Sequence, residues 1–321
     1  MAATRRPFAI AGHQVNGGRR ARIEIPFARL MSGTSVSLPI IVWHGKTAGP
    51  TAWISAAVHG DEIEGVEIIR RVAQRISAQT VRGTVIAIPV VNVHGFNTGD
   101  RYLPDRRDLN RSFPGSRRGS LASRLADLMM DQIVSRCDYG IDLHTGSDHR
   151  TNLPQVRADL DDAETLRLAR AFGAPILLHS MTRDGSLRQA ATERGAKVLL
   201  YEGGEAWRFD DQSIGAGVSG VLRVLESTGF IDSAAPEAEE SLLARSSRWI
   251  RSGRSGIIQL EVSLGARVGS GEVVARIYDT FGKKLGDIKS RTAGVVIGHT
   301  QHPLVNRGDA IVHVAEIAES E

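Results

Sequence analysis

Short apolar runs alternate with helical stretches over residues 51–228, and this alternation constrains the fold more than any other feature. The apolar runs have the length of strands and lie at 51–58, 83–92, 139–146, 174–179 and 197–204, after two leading strands at 20–30 and 35–44. Apolar residues recur at helical spacing in the stretches 62–77, 121–135, 161–172, 186–195 and 212–228. Because strands that alternate with helices form parallel sheets, the sequence predicts an α/β fold with a mostly parallel sheet and helices on both faces.

The pattern changes near residue 232. Residues 232–241, "DSAAPEAEES", are small, polar and acidic, which is typical of a linker. From residue 246 onward, short strands with closely spaced glycines replace the helical periodicity. We therefore expect an α/β domain over residues 1–235 and a small, barrel-like all-β module over residues 246–321, joined by a linker at about 232–245.

Composition excludes several classes of protein. The 321 residues carry a net charge of +4, but the basic residues are spread along the chain, and 5% aromatic residues are too few for stacking on nucleic-acid bases. No apolar run approaches the roughly 20 residues that span a bilayer, and the N-terminal residues lack the apolar stretch of a secretory signal. Cys137 is the only cysteine, which excludes an internal disulfide. We expect a cytoplasmic protein with no nucleic-acid or membrane partner, while a homo-oligomer stays open.

His59 and Glu62 follow the predicted strand at 51–58, within the stretch "AAVHGDEIEG". Ligands of open α/β sheets bind outside the carboxyl ends of the strands. An imidazole nitrogen and a carboxylate oxygen at this spacing can bind one cation, and zinc accepts both kinds of ligand. A helix start explains the same residues, with Asp61 as the N-cap and Glu64 as a solvated acid.

His144, in "DLHTG", ends another apolar strand. A catalytic zinc site needs three protein ligands and an open position for water. A His-x-x-Glu pair at one strand end and a histidine at another would supply this set. Taken alone, His144 is better explained as a strand-end histidine that binds the backbone.

The stretch "YEGGE", 201–205, places two acids at the end of a later strand. A carboxylate beside a metal-activated water can act as a general base. Glu202 follows the strand directly and Glu205 lies three residues on, so whether Glu205 assists Glu202 is open. A turn with solvated acids is the alternative interpretation.

The polar segment "TGDRYLPDRRDLNRSFPG", 98–115, contains four arginines and Asn110. A guanidinium group binds carboxylates with two parallel hydrogen bonds and stabilises a developing oxyanion. A solvated basic loop is the usual alternative for such a run.

The motifs "VHGDE", "DLNRSFPG", "DLHTGS" and "YEGGE" occur here in one order. Each motif is common, but the ordered combination resembles the succinylglutamate desuccinylase/aspartoacylase family, which is related to the zinc carboxypeptidases. The resemblance extends over residues 35–315, including the β module. It implies a zinc carboxypeptidase-like fold.

The resemblance also implies roles for particular residues. One Zn2+ per chain would be bound by His59, Glu62 and His144, with Glu202 as the general base. The substrate carboxylate would be held by Asn110 and Arg111. The scissile carbonyl would be polarised by Arg101, with Arg106 and Arg107 as competing candidates.

Four further residues are expected around this site. Asp108 and Asp142 are expected to orient the histidine ligands. His149 and His179 are reserve candidates for contact with the substrate.

The expected activity is that of a zinc-dependent amidohydrolase that deacylates a small N-acyl amino acid carrying a carboxylate. One alternative is a metallocarboxypeptidase that acts on a short peptide. Another is a non-catalytic, metal-dependent binding protein. The acyl group, the amine and the metal in vivo stay open.

Overall fold

The computed structural model describes residues 5–147, 149–232 and 235–317. The strands in these ranges are β1 (Phe8–Ile10), β2 (His13–Val15), β3 (Arg19–Arg29), β4 (Ser35–His44), β5 (Thr47–Ala56), β6 (Arg82–Ile88), β7 (Tyr139–Gly146), β8 (Arg150–Ala158), β9 (Ile176–His179), β10 (Lys197–Glu205), β11 (Leu242–Arg251), β12 (Gly256–Leu260), β13 (Arg267–Val268), β14 (Val273–Tyr278), β15 (Lys284–Lys289), β16 (Gly294–Thr300), β17 (Leu304–Val305) and β18 (Ala310–Ile317). The helices are α1 (Glu64–Val72), α2 (Val93–Thr98), α3 (Leu121–Gln132), α4 (Ala163–Phe172), α5 (Leu187–Thr192) and α6 (Asp211–Ser227).

A mixed sheet of twelve strands forms the middle layer, in the order β13-β16-β18-β11-β9-β8-β10-β7-β5-β6-β4-β3. At its centre β7 lies between β5 and β10, and the three strands are parallel. From β11 to β6 the neighbouring strands are parallel except for β8 against β10. The predicted α/β class with a mixed sheet is confirmed, and the part of the sheet from β11 to β6 is mostly parallel.

Helices cover both faces of this sheet, as predicted. On one face α1, α4 and α6 bury Ile68, Phe172 and Val221 against the strands. On the other face α3 and α5 bury Leu125 and Leu187. Each such side chain stabilises the fold by about 1.5–3 kcal/mol through removal of apolar surface from water.

The first helix differs from its prediction. It spans Glu64–Val72 instead of 62–77, and its N-cap is Ile63, which makes no side-chain capping bond. Asp61 and Glu64 are only 8% and 1% exposed, so the expectation of a capping Asp61 and a solvated Glu64 is wrong. The turn is buried because Gly60 packs against backbone, where a Cβ would lie 2.1 Å from the carbonyl carbon of Gly95.

Strand β8 was not predicted, because Pro154 and alternating polar residues obscure its period. It pairs with β9, β10 and β16. The segment 93–118, which shows no periodicity in the sequence, contains α2 and a short 3-10 turn at Leu109–Arg111.

The described C-terminal residues form strands throughout, as predicted. A four-stranded sheet in the order β15-β14-β12-β17 packs around Ile258, Val274 and Ile311. The twelve-stranded sheet also runs into this part, since β11 pairs with β9 and β16 with β8. The division of the chain into 1–235 and 246–321 stays a prediction. In the described ranges no helix has both the length and the apolar character needed to span a membrane.

Candidate active site

The three predicted metal ligands meet at the carboxyl ends of β5 and β7. His59 and Glu62 lie in the turn between β5 and α1, and His144 lies near the end of β7. Nδ1 of His59 is 2.7 Å from Oε1 of Glu62, and Nδ1 of His144 is 2.8 Å from Oε2 of the same carboxylate. All three side chains are buried, and their ligand atoms lie within 4.8 Å of one another. This His–Glu–His group could bind a metal ion.

The other ring nitrogens are held by carboxylates, as expected for Asp108 and Asp142. Nε2 of His59 donates to Oδ1 of Asp108 at 3.2 Å, and Nε2 of His144 donates to Oδ2 of Asp142 at 2.8 Å. Metal-binding histidines commonly make this kind of bond with the nitrogen that does not bind the metal. Both Nδ1 atoms therefore point at Glu62, and one divalent ion bound there would take the place of the two Nδ1 protons.

The charges in this cluster depend on one another. Burial alone would raise the pKa of Glu62, but the adjacent His59 and His144 hold it well below its usual range. Burial alone would lower the pKa of His144, but the charges of Asp142 and Glu62 hold it well above its usual range. The buried carboxylate thus stays ionised and needs positive charge beside it, which a divalent cation would also provide.

Arg101 is the arginine that reaches the cluster. Its Nη1 donates to Oε1 of Glu62 at 3.0 Å, and its Nη2 donates to Oδ2 of Asp108 at 3.3 Å. The competing candidates Arg106 and Arg107 are exposed and do not line the cavity at the cluster. A guanidinium beside the ligands is in the right place to stabilise negative charge on a substrate oxygen.

Glu202 lies opposite His144, because the two residues are paired in the register of β10 and β7. Its Oε2 accepts a hydrogen bond of 2.6 Å from Nδ2 of Asn152, and its Oε1 lies 3.3 Å from Nη1 of Arg157. Glu205 instead lies 3.5 Å from Arg208 and does not line the cavity. The structure brings Glu202, not Glu205, to the predicted metal ligands.

One cavity of about 220 Å³ is lined by His59, Glu62, Arg101, His144 and Glu202, and its size suits a small molecule. Asn110 and Arg111 also line it, and Oδ1 of Asn110 accepts a bond of 2.9 Å from the backbone N–H of Leu187. The amide NH2 of Asn110 is therefore the group that remains for a ligand.

The two reserve histidines are not part of this cavity. His149 packs against the ring of His302, with the ring centroids 5.5 Å apart. Nδ1 of His179 accepts a hydrogen bond of 3.2 Å from the backbone N–H of Leu160. The expectation that they contact the substrate receives no support from their positions.

Sequence reasoning missed several residues that line the cavity, among them Asn152, Arg157, Arg183, Arg188 and Trp249. The first two lie on β8, the unpredicted strand, and Trp249 comes from β11, far along the chain. Nothing in their spacing marks them as site residues. Only the number of arginines could have indicated a cationic pocket.

The fold recurs in solved structures of related proteins. The product-bound ectoine utilization protein EutE (DoeB) from Ruegeria pomeroyi has a TM-score of 0.84 and 27% identity, over 92% of this chain and 95% of that one. A succinylglutamate desuccinylase/aspartoacylase from Rhodobacter sphaeroides has a TM-score of 0.83 and 30% identity, over 93% of this chain and 96% of that one. The fold is that of a deacylase family that hydrolyses N-acyl amino acids.

The particular family follows from the sequence comparisons. The catalytic-domain model of succinylglutamate desuccinylase/aspartoacylase matches residues 48–228. N-alpha-acetyl-L-2,4-diaminobutyric acid deacetylase from Halomonas elongata is 30% identical over 328 residues, which covers 97% of this chain and 95% of that protein. The chain belongs to the succinylglutamate desuccinylase/aspartoacylase family, so the predicted membership is confirmed.

Proposed function

We propose that this protein is a zinc-dependent hydrolase that cleaves the amide bond of a small N-acyl amino acid. The observation that carries the proposal is the strand register that places Glu202 beside His144, in the cavity that also contains His59 and Glu62. A potential general base and a potential metal site thus face one small space. The related deacetylase from Halomonas elongata, which acts on an acetylated amino acid, supports a substrate of this size.

His59, Glu62 and His144 would hold one zinc ion. When bound, such an ion acts as a Lewis acid on a carbonyl oxygen and makes water a nucleophile near neutral pH. Asp108 and Asp142 would fix the two imidazole rings through their Nε2 atoms.

Glu202 would act as the general base and then as the general acid. It accepts a proton from the attacking water and delivers that proton to the leaving nitrogen as the C–N bond breaks. The products are a carboxylate and a free amine. Asn152 and Arg157 hold the Glu202 carboxylate in position for both transfers.

Arg101 would stabilise the oxyanion of the tetrahedral intermediate from its place beside Glu62. Asn110 and Arg111, which line the cavity from the 3-10 turn Leu109–Arg111, would anchor the substrate carboxylate. By holding the substrate carboxylate, these residues would use binding energy to align the amide bond with the attacking water.

The size of the cavity favours an acyl amino acid over a peptide. Trp249, from strand β11, lines part of the cavity, and about 220 Å³ leaves little room for an extended chain. The carboxypeptidase alternative is therefore the weaker one, and the presence of Glu202 argues against a non-catalytic binding protein. Cytoplasmic location and the oligomeric state stay predictions.

A substrate panel tests the proposal. Zinc-loaded protein is incubated with N-acyl amino acids that vary in acyl group and amino acid, and with C-terminally free di- and tripeptides, and the released amine is measured. We expect turnover of at least one N-acyl amino acid and little release from tripeptides. Release from tripeptides alone would establish the carboxypeptidase alternative, and no turnover at all would overturn the proposal.

A further inference from the structure

Trp207, in the segment that follows β10, has a backbone conformation that is unusual for a large side chain. Its φ is +68°, in the left-handed region that favours glycine. The side chain is 58% exposed, so burial of its apolar surface compensates for this conformation only in part. The surrounding structure must therefore hold Trp207 in place, as is common for strained residues near functional sites.

Two backbone hydrogen bonds hold the segment that contains Trp207. The N–H of Trp207 donates to the carbonyl oxygen of Asp61 at 2.9 Å, directly before the predicted metal ligand Glu62. Three residues later, the N–H of Asp210 donates to Oε1 of the buried Glu64 at 3.2 Å. The segment is thus fixed against the turn between β5 and α1 and against the first turn of α1.

The indole of Trp207 lies on the backbone of Gly99. A Cβ at Gly99 would be 1.5 Å from Cη2 of the indole and 2.5 Å from its Cζ2 and Cζ3. Gly99 ends α2 with a φ of +68°, so a glycine both suits the turn and leaves room for the ring. The contact joins the segment after β10 to the loop after α2.

Arg101 follows this contact by two residues. Its carbonyl oxygen accepts a bond of 3.2 Å from Nδ2 of the buried Asn92, which fixes the backbone at Arg101 itself. Its guanidinium donates to Glu62 at 3.0 Å and to Asp108 at 3.3 Å. Trp207 does not line the cavity that Arg101 lines, so it can influence the reaction only through its neighbours.

We propose that Trp207 is a positioning residue that keeps Arg101 in place to stabilise the oxyanion. The indole restricts the loop at Gly99, so that the guanidinium stays beside Glu62. The inference rests on the proposed function, in which Arg101 acts on the tetrahedral intermediate. A displacement of a catalytic group by about 1 Å can lower the rate about 100-fold. Because the oxyanion is absent from the bound substrate, loss of the indole should change kcat more than KM.

The variant Trp207→Asn tests the inference. Asparagine adopts the left-handed conformation readily, so this variant removes the indole and keeps the turn. We expect kcat of the zinc-loaded enzyme on an N-acyl amino acid to fall at least about tenfold, with KM changed by less than about threefold. Phe209→Asn, at an aromatic residue that is 62% exposed two positions further on, is the matched control and should change neither.

A double-mutant cycle with Arg101→Gln tests whether Trp207 acts through Arg101. Arg101→Gln alone should lower kcat by about 100-fold or more, because it removes a donor to the oxyanion. Addition of Trp207→Asn should then lower kcat by less than about threefold further, since the group that the indole positions is already gone. Full, additive losses would show that Trp207 acts elsewhere and would overturn the inference.

Amide hydrogen exchange supplies a readout that does not depend on turnover. We expect faster exchange over residues 93–102 in Trp207→Asn than in wild type, with exchange over α4 unchanged. Unchanged exchange over residues 93–102 would overturn the inference, as would normal kcat in Trp207→Asn or an equal loss of kcat in Phe209→Asn. If wild type hydrolyses no amide, the proposed function fails, and hydrogen exchange alone then decides whether Trp207 holds the loop of Arg101.

Discussion

The carboxylate of Asp142 accepts a hydrogen bond of 2.8 Å from Nε2 of His144, two residues further along strand β7. Side chains two residues apart on a strand point to the same face, so the strand itself aligns the pair. The other Asp142 oxygen accepts a bond of 2.7 Å from Oγ of Ser55 on the neighbouring strand β5. The orientation of the His144 ring is therefore built into the centre of the sheet.

Asp142→Asn should weaken zinc binding by about 10- to 100-fold. Ser55 and His144 donate to different oxygens of the carboxylate, and the amide replaces one of these oxygens by an NH2 donor, so one of the two bonds is lost. Competition for zinc with a chromophoric chelator measures the affinity, and Ser55→Ala should give a smaller loss. Asp131→Asn, on the surface of α3, is the control, and equal zinc affinity in Asp142→Asn and this control would contradict the prediction.

Glu202→Gln should lower kcat by at least about 100-fold without loss of bound zinc, because the amide cannot accept a proton from water. Steady-state kinetics and elemental analysis on the same sample measure both quantities. Glu205→Gln is the comparison, since Glu205 lies outside the cavity, and it should keep most of the activity. Near-normal turnover of Glu202→Gln would remove Glu202 from the mechanism, and a large loss in Glu205→Gln would give Glu205 a part in it.

Protonation of Glu67 in acid should lower the free energy of unfolding, because Glu67 then loses its ion pairs with Arg70 and Arg71 on α1. Hydrogen bonds from Arg70 and Arg71 lower the pKa of Glu67 to about 2, against the model-compound value of 4.5. A lowered pKa means that its stabilisation is complete above pH 4.5 and is lost as the pH falls through about 2. Because both arginines are substantially exposed, Glu67→Gln should cost about 1 kcal/mol or less at pH 7. Urea unfolding at pH 7 and pH 2.5 checks this, and a difference that persists undiminished in acid would contradict it.

Because of His313, the free energy of unfolding should begin to fall at a higher pH than the effect of Glu67 alone would give. Burial, together with the charges of Arg157 and Arg183, lowers its pKa from 6.5 to about 3. The unfolded chain then binds a proton that the folded chain does not, so this contribution to stability is lost as the pH falls below 6.5 towards 3. His313→Phe, which keeps a flat ring against Trp249, should show a shallower dependence of unfolding free energy on pH between 4 and 7. An unchanged slope in this range would indicate that His313 is protonated in the folded state.

The alternation of strands and helices was predictable because the strands are short apolar runs and the helices repeat apolar residues at helical spacing. Both patterns extend over enough residues to be recognised. His59, His144 and Glu202 were predictable because each stands at the end of an apolar strand, and such ends meet at one edge of the sheet. Asn152 and Trp249 were not, because their positions depend on the pairing of β8 and β11 with strands far away in sequence. The burial of Asp61 and Glu64 was mispredicted for a similar reason, since the segment after β10 lies against both of them. The backbone N–H of Trp207 donates to the carbonyl oxygen of Asp61, and that of Asp210 donates to Oε1 of Glu64 at 3.2 Å.

The spacing of the three predicted ligands has a consequence for stability. Glu62 and His144 are 82 residues apart in sequence, so an ion held by both would close a long loop of the chain. In a chain whose single cysteine excludes an internal disulfide, such an ion would act as a reversible cross-link between the turn after β5 and strand β7. An ion that binds only the folded state stabilises that state by an amount that grows with the ratio of free ion to its Kd, so chelation should lower the melting temperature as well as activity.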